Sequence, residues 1–142
     1  MKKISNSDDQ RTHKFSKHIR KFEVPHTLNL ERGGNLEDVQ IVYETYGKLN
    51  SDKSNSILIC HAITGDSHVA KHDENDLPGW WDAMVGPNKP IDTNKYFIIC
   101  SNVLGGCRGT TGPNSKNPKT NDYYGANFPV ITINDMVHLQ KI

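Results

Sequence analysis

The sequence predicts an α/β protein with a parallel strand pair, on three observations. Ser56-Ile57-Leu58-Ile59-Cys60 and Tyr96-Phe97-Ile98-Ile99-Cys100 are short continuous apolar runs bounded by turn residues, the pattern of strands covered on both faces. Thirty-five residues separate them, room for the crossover that a parallel pair requires. Further on, Thr132 and Asp135 stand three residues apart as a capping-box pair before Ile133, Met136, Val137 and Ile142, a stripe at helical spacing.

Taken in order, residues 1–22 carry seven basic and two acidic side chains, a net +5, while the other 120 residues carry −4. Phe15, Ile19 and Phe22 recur at helix-like spacing, but a solvated, disordered tail over 1–22 is the expectation, with an incomplete α/β domain over 23–142. Leu28-Asn29-Leu30, the turn cluster Glu31-Arg32-Gly33-Gly34-Asn35 and the alternation of Val39, Ile41 and Tyr43 predict a leading hairpin of two strands. Residues 47–55 form a turn-rich connector, and Trp80-Trp81-Asp82-Ala83-Met84-Val85 is the expected crossover helix, stopped by Gly86-Pro87. The strand–helix–strand–helix series halts about ten residues into its last helix, with neither Gly, Asn nor Pro to end it. It reads as cut rather than complete.

Composition narrows the function classes. The net charge of +1 gives no global pull toward nucleic acid, and no window approaches the ~18 consecutive apolar residues of a spanning helix. The apolar share of 35% and the mean hydropathy of −0.66 are low for a self-contained core. Three cysteines, an odd number with no secretory segment before them, point to a reducing cytoplasm.

Several segments could carry chemistry. Cys60-His61-Ala62-Ile63-Thr64-Gly65 leaves a strand sharply and could aim a backbone N–H at an oxyanion; it equally fits a plain turn holding a buried histidine. Gly65-Asp66-Ser67-His68-Val69 imitates a nucleophile elbow, but Val69 stands where the strained turn needs a second glycine. His68 and His72 have the i, i+4 spacing of metal ligands. Their polar, turn-rich surroundings favour a surface loop, and no metal site is expected there or at Cys100 and Cys107. Gly105-Gly106-Cys107-Arg108-Gly109 is glycine-dense after a strand but fits no nucleotide-binding register; it is expected to line a site.

Tyr43-Glu44-Thr45-Tyr46-Gly47, Cys60-His61-Ala62-Ile63-Thr64-Gly65-Asp66-Ser67-His68, Gly79-Trp80-Trp81-Asp82, Gly86-Pro87-Asn88-Lys89-Pro90-Ile91-Asp92-Thr93, Cys100-Ser101-Asn102-Val103-Leu104-Gly105-Gly106-Cys107 and Thr111-Gly112-Pro113 follow in order. Together with Phe128-Pro129-Val130-Ile131-Thr132-Ile133-Asn134-Asp135-Met136-Val137 they resemble the N-terminal part of the homoserine O-acetyltransferase family, from about Leu28 onward. The resemblance implies an α/β-hydrolase fold and a cytoplasmic enzyme of methionine biosynthesis, often homodimeric. Such enzymes move acetyl from acetyl-CoA, as substrate and with no cofactor, to L-homoserine; relatives use succinyl-CoA or serine. It implies a Ser-Asp-His triad of which no member has a matching position here, so the chain is expected to stop before the nucleophile elbow. No catalytic residue is therefore assigned. The Ile63 backbone N–H resembles one half of the oxyanion hole, and Thr64, Asn102, Gly105 and Gly106 would line the site. Two expectations follow: an inactive fragment, or a half that assembles with a separately encoded C-terminal half, with neither nucleic acid nor membrane as partner.

Overall fold

A computed structural model describes residues 17–142. Its main sheet has four strands in the order β1 (Arg20–Glu23), β4 (Gln40–Tyr46), β8 (Phe97–Ser101), β5 (Ser56–Ile59). Strand β4 runs antiparallel to both β1 and β8, and β5 runs parallel to β8, with Ile57 opposite Ile98 and Ile59 opposite Cys100. The parallel pair is thus where the two apolar runs place it. Two short ladders flank the sheet: antiparallel β2 (Leu28–Asn29) with β3 (Asn35–Leu36), and parallel β6 (Val85–Gly86) with β7 (Ile91–Asp92).

Strand alternation divides the core in two. On one face Tyr46, Ile59, Ile98 and Cys100 pack with Val69, Ala70 and Val85 of the long β5–β8 connection. On the other, Ile41 packs with Val39, Leu36, Leu28, Leu104 and Leu139, the last from helix α1 (Ile133–Gln140). Thr132 caps α1 as its spacing predicts: its hydroxyl accepts from the Asp135 N–H while the Asp135 carboxylate accepts from the Thr132 N–H.

Four expectations are corrected. The leading hairpin is made by β2 and β3 alone; β4 pairs instead with β1 and β8. Gly33 and Gly34, both in the left-handed region, turn the chain tightly enough to close a hairpin well before Val39. Strand β1 carries the polypeptide from Arg20 into the sheet, so the boundary drawn at residue 22 falls inside a strand; residues 1–16 of the expected tail lie outside the described residues. No helix forms over residues 80–85. The N–H groups of Met84 and Val85 both reach the Trp81 carbonyl in a single turn before β6 begins, because six residues between Gly79 and Gly86 are too few to offset helix nucleation. Strand β5, finally, is covered mainly at Ile59: Leu58 is 51% exposed.

Strand β5 has a neighbour on one side only, and its outer edge is unpaired among the described residues. Across the sheet face that α1 covers, Phe22, Tyr43, Leu58, Ile99, Leu139 and Ile142 line an open apolar groove of about 210 Å³. Helix α1 turns Leu139 inward but leaves Ile133 70% exposed and Val137 half-exposed. Much of its apolar stripe is therefore bare among the described residues. No helix among the described residues is long and apolar enough to cross a membrane.

Candidate functional site

Parallel strands β5 and β8 deliver two loops, 60–70 and 102–111, to the same end of the sheet, where α/β proteins bind ligands. The first turns immediately. Gly65 N–H donates to the Ala62 carbonyl at 2.7 Å, which places Ile63 at the tip of the turn with its side chain 80% exposed. The Ile63 N–H meets no hydrogen-bond acceptor among the described residues. His61 is buried beneath this tip. Its Nδ1 donates to the Ala62 carbonyl at 2.6 Å and its Nε2 accepts from the Val103 N–H at 3.3 Å, which places the proton on Nδ1 and ties the first loop to the second.

Asn102 is the main link between the loops. Its Oδ1 accepts from the Ser67 N–H at 2.6 Å and its Nδ2 donates to the Arg108 carbonyl at 2.6 Å, with the whole residue buried. Expected as a lining residue, Asn102 has its amide fully engaged in holding the loops together. The Trp80 indole N–H holds the Asp66 carbonyl at 2.9 Å, and the Asp66 carboxylate pairs with Arg108 at 3.7 Å and accepts from the His68 N–H at 3.0 Å. Thr64 is exposed beside Ile63. Gly105, at φ +77°, lies where a Cβ would stand 2.5 Å from Ile131 Cδ1; a Cβ on Gly112 would strike the Gly106 carbonyl. The glycine-dense loop therefore folds closely on itself and under residue 131. Thr110 returns it to β4, accepting from the Val42 N–H and donating to the Asn102 carbonyl, both at 2.9 Å.

Ser67 is buried, and its N–H donates to Asn102. Cys60 is exposed while the adjacent His61 is buried, so the two point apart. No serine or cysteine is hydrogen-bonded to a histidine base among the described residues.

A second constellation lies below the loops. Glu44 of β4 is fully buried, and its Oε2 accepts from the Tyr46 hydroxyl at 3.1 Å, His68 Nδ1 at 3.1 Å and His72 Nε2 at 2.8 Å. The Tyr46 oxygen in turn accepts from the Val69 and Ala70 N–H groups. His68 Nε2 lies 2.8 Å from the Leu77 carbonyl. Both its ring nitrogens face acceptors, so His68 carries two protons and a positive charge. The hydrogen bond to Glu44 overcomes burial and raises its pKa to about 9. Burial alone would raise the Glu44 carboxyl, but the two histidines outweigh it and hold it at about 2. The ring of His72 stacks between Tyr46 and His18, with centroids 4.2 and 4.1 Å apart. Glu44 Oε1 is buried with no hydrogen-bond partner among the described residues.

His68 and His72, expected on a surface loop, are instead drawn in to the buried Glu44, which the sequence did not single out. The glutamate precedes them by 24 and 28 residues, and no periodicity connects a strand to a distant loop. The available signal was a charge between Val42 and Tyr46 on one face of a strand.

No family model matches the chain. It is 61% identical over 121 residues to the homoserine O-acetyltransferase of Methanosphaerula palustris, an alignment covering 84% of this chain and 25% of that protein. The chain belongs to the homoserine O-acetyltransferase family, of which it represents an N-terminal portion. The solved homoserine O-acetyltransferase from Bacillus anthracis is 44% identical, with a TM-score of 0.78, over 87% of this chain and 35% of that one. An acetylester hydrolase from Corynebacterium glutamicum is 30% identical, with a TM-score of 0.70, over 87% and 31%. The mixed sheet and its loops thus match the α/β-hydrolase-like fold that these transferases and hydrolases share. The chain spans about a quarter of the length of the curated relatives it matches.

Proposed function

We propose that this chain supplies one arm of an acyl-transfer site, serving transfer of an acetyl group from acetyl-CoA to the hydroxyl of L-homoserine in methionine biosynthesis. By itself it does not catalyse that reaction. The observation that carries the reading is the Ile63 N–H: a backbone donor without an acceptor among the described residues, at the tip of a turn held from behind by His61, Asn102 and Trp80. A donor so fixed suits an oxyanion that appears only in the transition state. Thr64, Gly105 and Gly106 would border the approach, with Asn102 acting through the loops. Acyl transfer also needs a nucleophile and its base, acting as a unit. Neither has a place among the described residues, and the expected serine elbow would follow α1.

A second reading, that the chain assembles with a separately encoded C-terminal half, is favoured by the unpaired β5 edge and the groove across the sheet face that α1 covers. One assay tests both. The purified chain is incubated with acetyl-CoA and homoserine, and free CoA thiol is followed, with and without a co-expressed C-terminal part of a family member. The reading expects no homoserine-dependent thiol release from the chain alone and release on complementation. Turnover by the chain alone defeats the first reading; failure of the two parts to associate removes the second.

A further inference from the structure

We propose that Glu44, His68 and His72 form a binding site for a divalent transition-metal ion of the zinc type, with Glu44 Oε2, His68 Nδ1 and His72 Nε2 as ligands. The proposal does not rest on the acyl-transfer reading.

The donor set is that of a zinc site: two imidazole nitrogens and one carboxylate oxygen, all within 4.8 Å of one another. A tetrahedral zinc ion at ~2.1 Å from each ligand sets neighbouring ligand atoms ~3.4 Å apart. The carboxylate oxygen already lies 3.1 and 2.8 Å from the two nitrogens, so those contacts open by only a few tenths of an ångström, while the two nitrogens, within 4.8 Å of each other, must come to the same spacing. The outer shell is in place as well. His68 Nε2–H donates to the Leu77 carbonyl, the contact that orients a metal-bound imidazole and fixes Nδ1 as the ligating atom. The Tyr46 hydroxyl, anchored by two backbone N–H groups, holds Glu44 Oε2 from the opposite side.

Glu44 Oε1 supplies the independent observation. It is a buried carboxylate oxygen without a hydrogen-bond partner among the described residues. Native folds rarely leave such an atom unexplained, and an ion held at Oε2 accounts for it only where the carboxylate also turns Oε1 toward the ion. An open polar hollow of about 490 Å³ adjoins the cluster at His72, which lines it with Tyr46, Gly47 and Lys71. The proton balance differs between the rings: His68 releases its Nδ1 proton to solvent and keeps Nε2–H, whereas His72 ligates through Nε2 with its proton on Nδ1, so both bind as neutral imidazoles. Imidazole and carboxylate together suit Zn²⁺, Co²⁺ or Ni²⁺ rather than Ca²⁺ or Mg²⁺.

The test is calorimetric titration of Zn²⁺ into the metal-free full chain. The expected result is one ion per chain, with affinity falling about tenfold or more in His72→Ala and unchanged in His26→Ala, an exposed histidine elsewhere. Circular dichroism reports whether His72→Ala stays folded. If it does not, the unmutated chain decides: Zn²⁺ should move the imidazole proton resonances of His68 and His72 together while those of His26 and His138 stay fixed. No saturable uptake overturns the proposal. So does uptake that leaves His68 and His72 unmoved, which marks binding by surface histidines.

Discussion

Replacing Asn102 by alanine is the sharpest perturbation of the two-loop arrangement. The side chain satisfies the Ser67 N–H and the Arg108 carbonyl at once, each at 2.6 Å. Ser67 is buried, so its N–H has no water to turn to, whereas Arg108 is half-buried and its carbonyl can be partly rehydrated. An orphaned buried polar group costs about 1–3 kcal/mol. The full penalty for the first group and a reduced one for the second place the loss at about 2–4 kcal/mol. Urea unfolding followed by tryptophan fluorescence measures it directly, because Trp80 is hydrogen-bonded into the same loop. The midpoint should fall with the slope unchanged. Asn102→Asp refines the reasoning: it keeps an acceptor for Ser67 but sets a carboxylate against the Arg108 carbonyl, so it should be no milder than alanine. Amide exchange at Ser67 should quicken in both variants. A midpoint shift worth less than about 0.5 kcal/mol, the size of an ordinary surface substitution, would refute the claim that Asn102 joins the loops.

Two further outcomes follow from packing and protonation. Gly79→Ala should abolish the folded state, since its Cβ would strike the Val69 carbonyl group and the Ala70 nitrogen, backbone that cannot rotate away; Gly34→Ala, with open space around it, should cost only the strain of its left-handed conformation, about 1 kcal/mol. Folded, soluble Gly79→Ala protein would contradict this. Burial of Asp135 opposes its ionisation, but hydrogen bonds from the Glu31 and Thr132 N–H groups and the Thr132 hydroxyl draw its pKa below the usual 3.8. A carboxyl depressed in the folded state contributes stability above its unfolded pKa and loses it as pH falls through the folded value. Asp135→Asn should therefore lower stability at neutral pH and flatten the acid decline below about pH 4; identical acid slopes in the two proteins would count against the assignment.

Legibility in the sequence followed the range of each interaction. The β5–β8 pair was readable because continuous apolar runs mark covered strands, and the head of α1 because a capping box needs only residues three apart. Ile63 could be placed at a turn after a strand by the same local logic. Strand β1 was not readable: Arg20, Lys21, Phe22 and Glu23 are all exposed, so nothing in their pattern separates an edge strand from a solvated tail. The inward face of β5 was overestimated because an apolar run does not state which neighbours are present to cover it.

What the sequence determined by itself is the set of segments that must bury apolar surface or turn sharply, hence the fold class and family. The tertiary structure alone decided which distant polar atoms meet: Asn102 with Ser67 and Arg108, and Glu44 with His68 and His72. The physical reason is that hydrophobic burial depends on composition and period along the chain, whereas a hydrogen bond or ligand set depends on positions to within a few tenths of an ångström. Only the packed sheet supplies those positions.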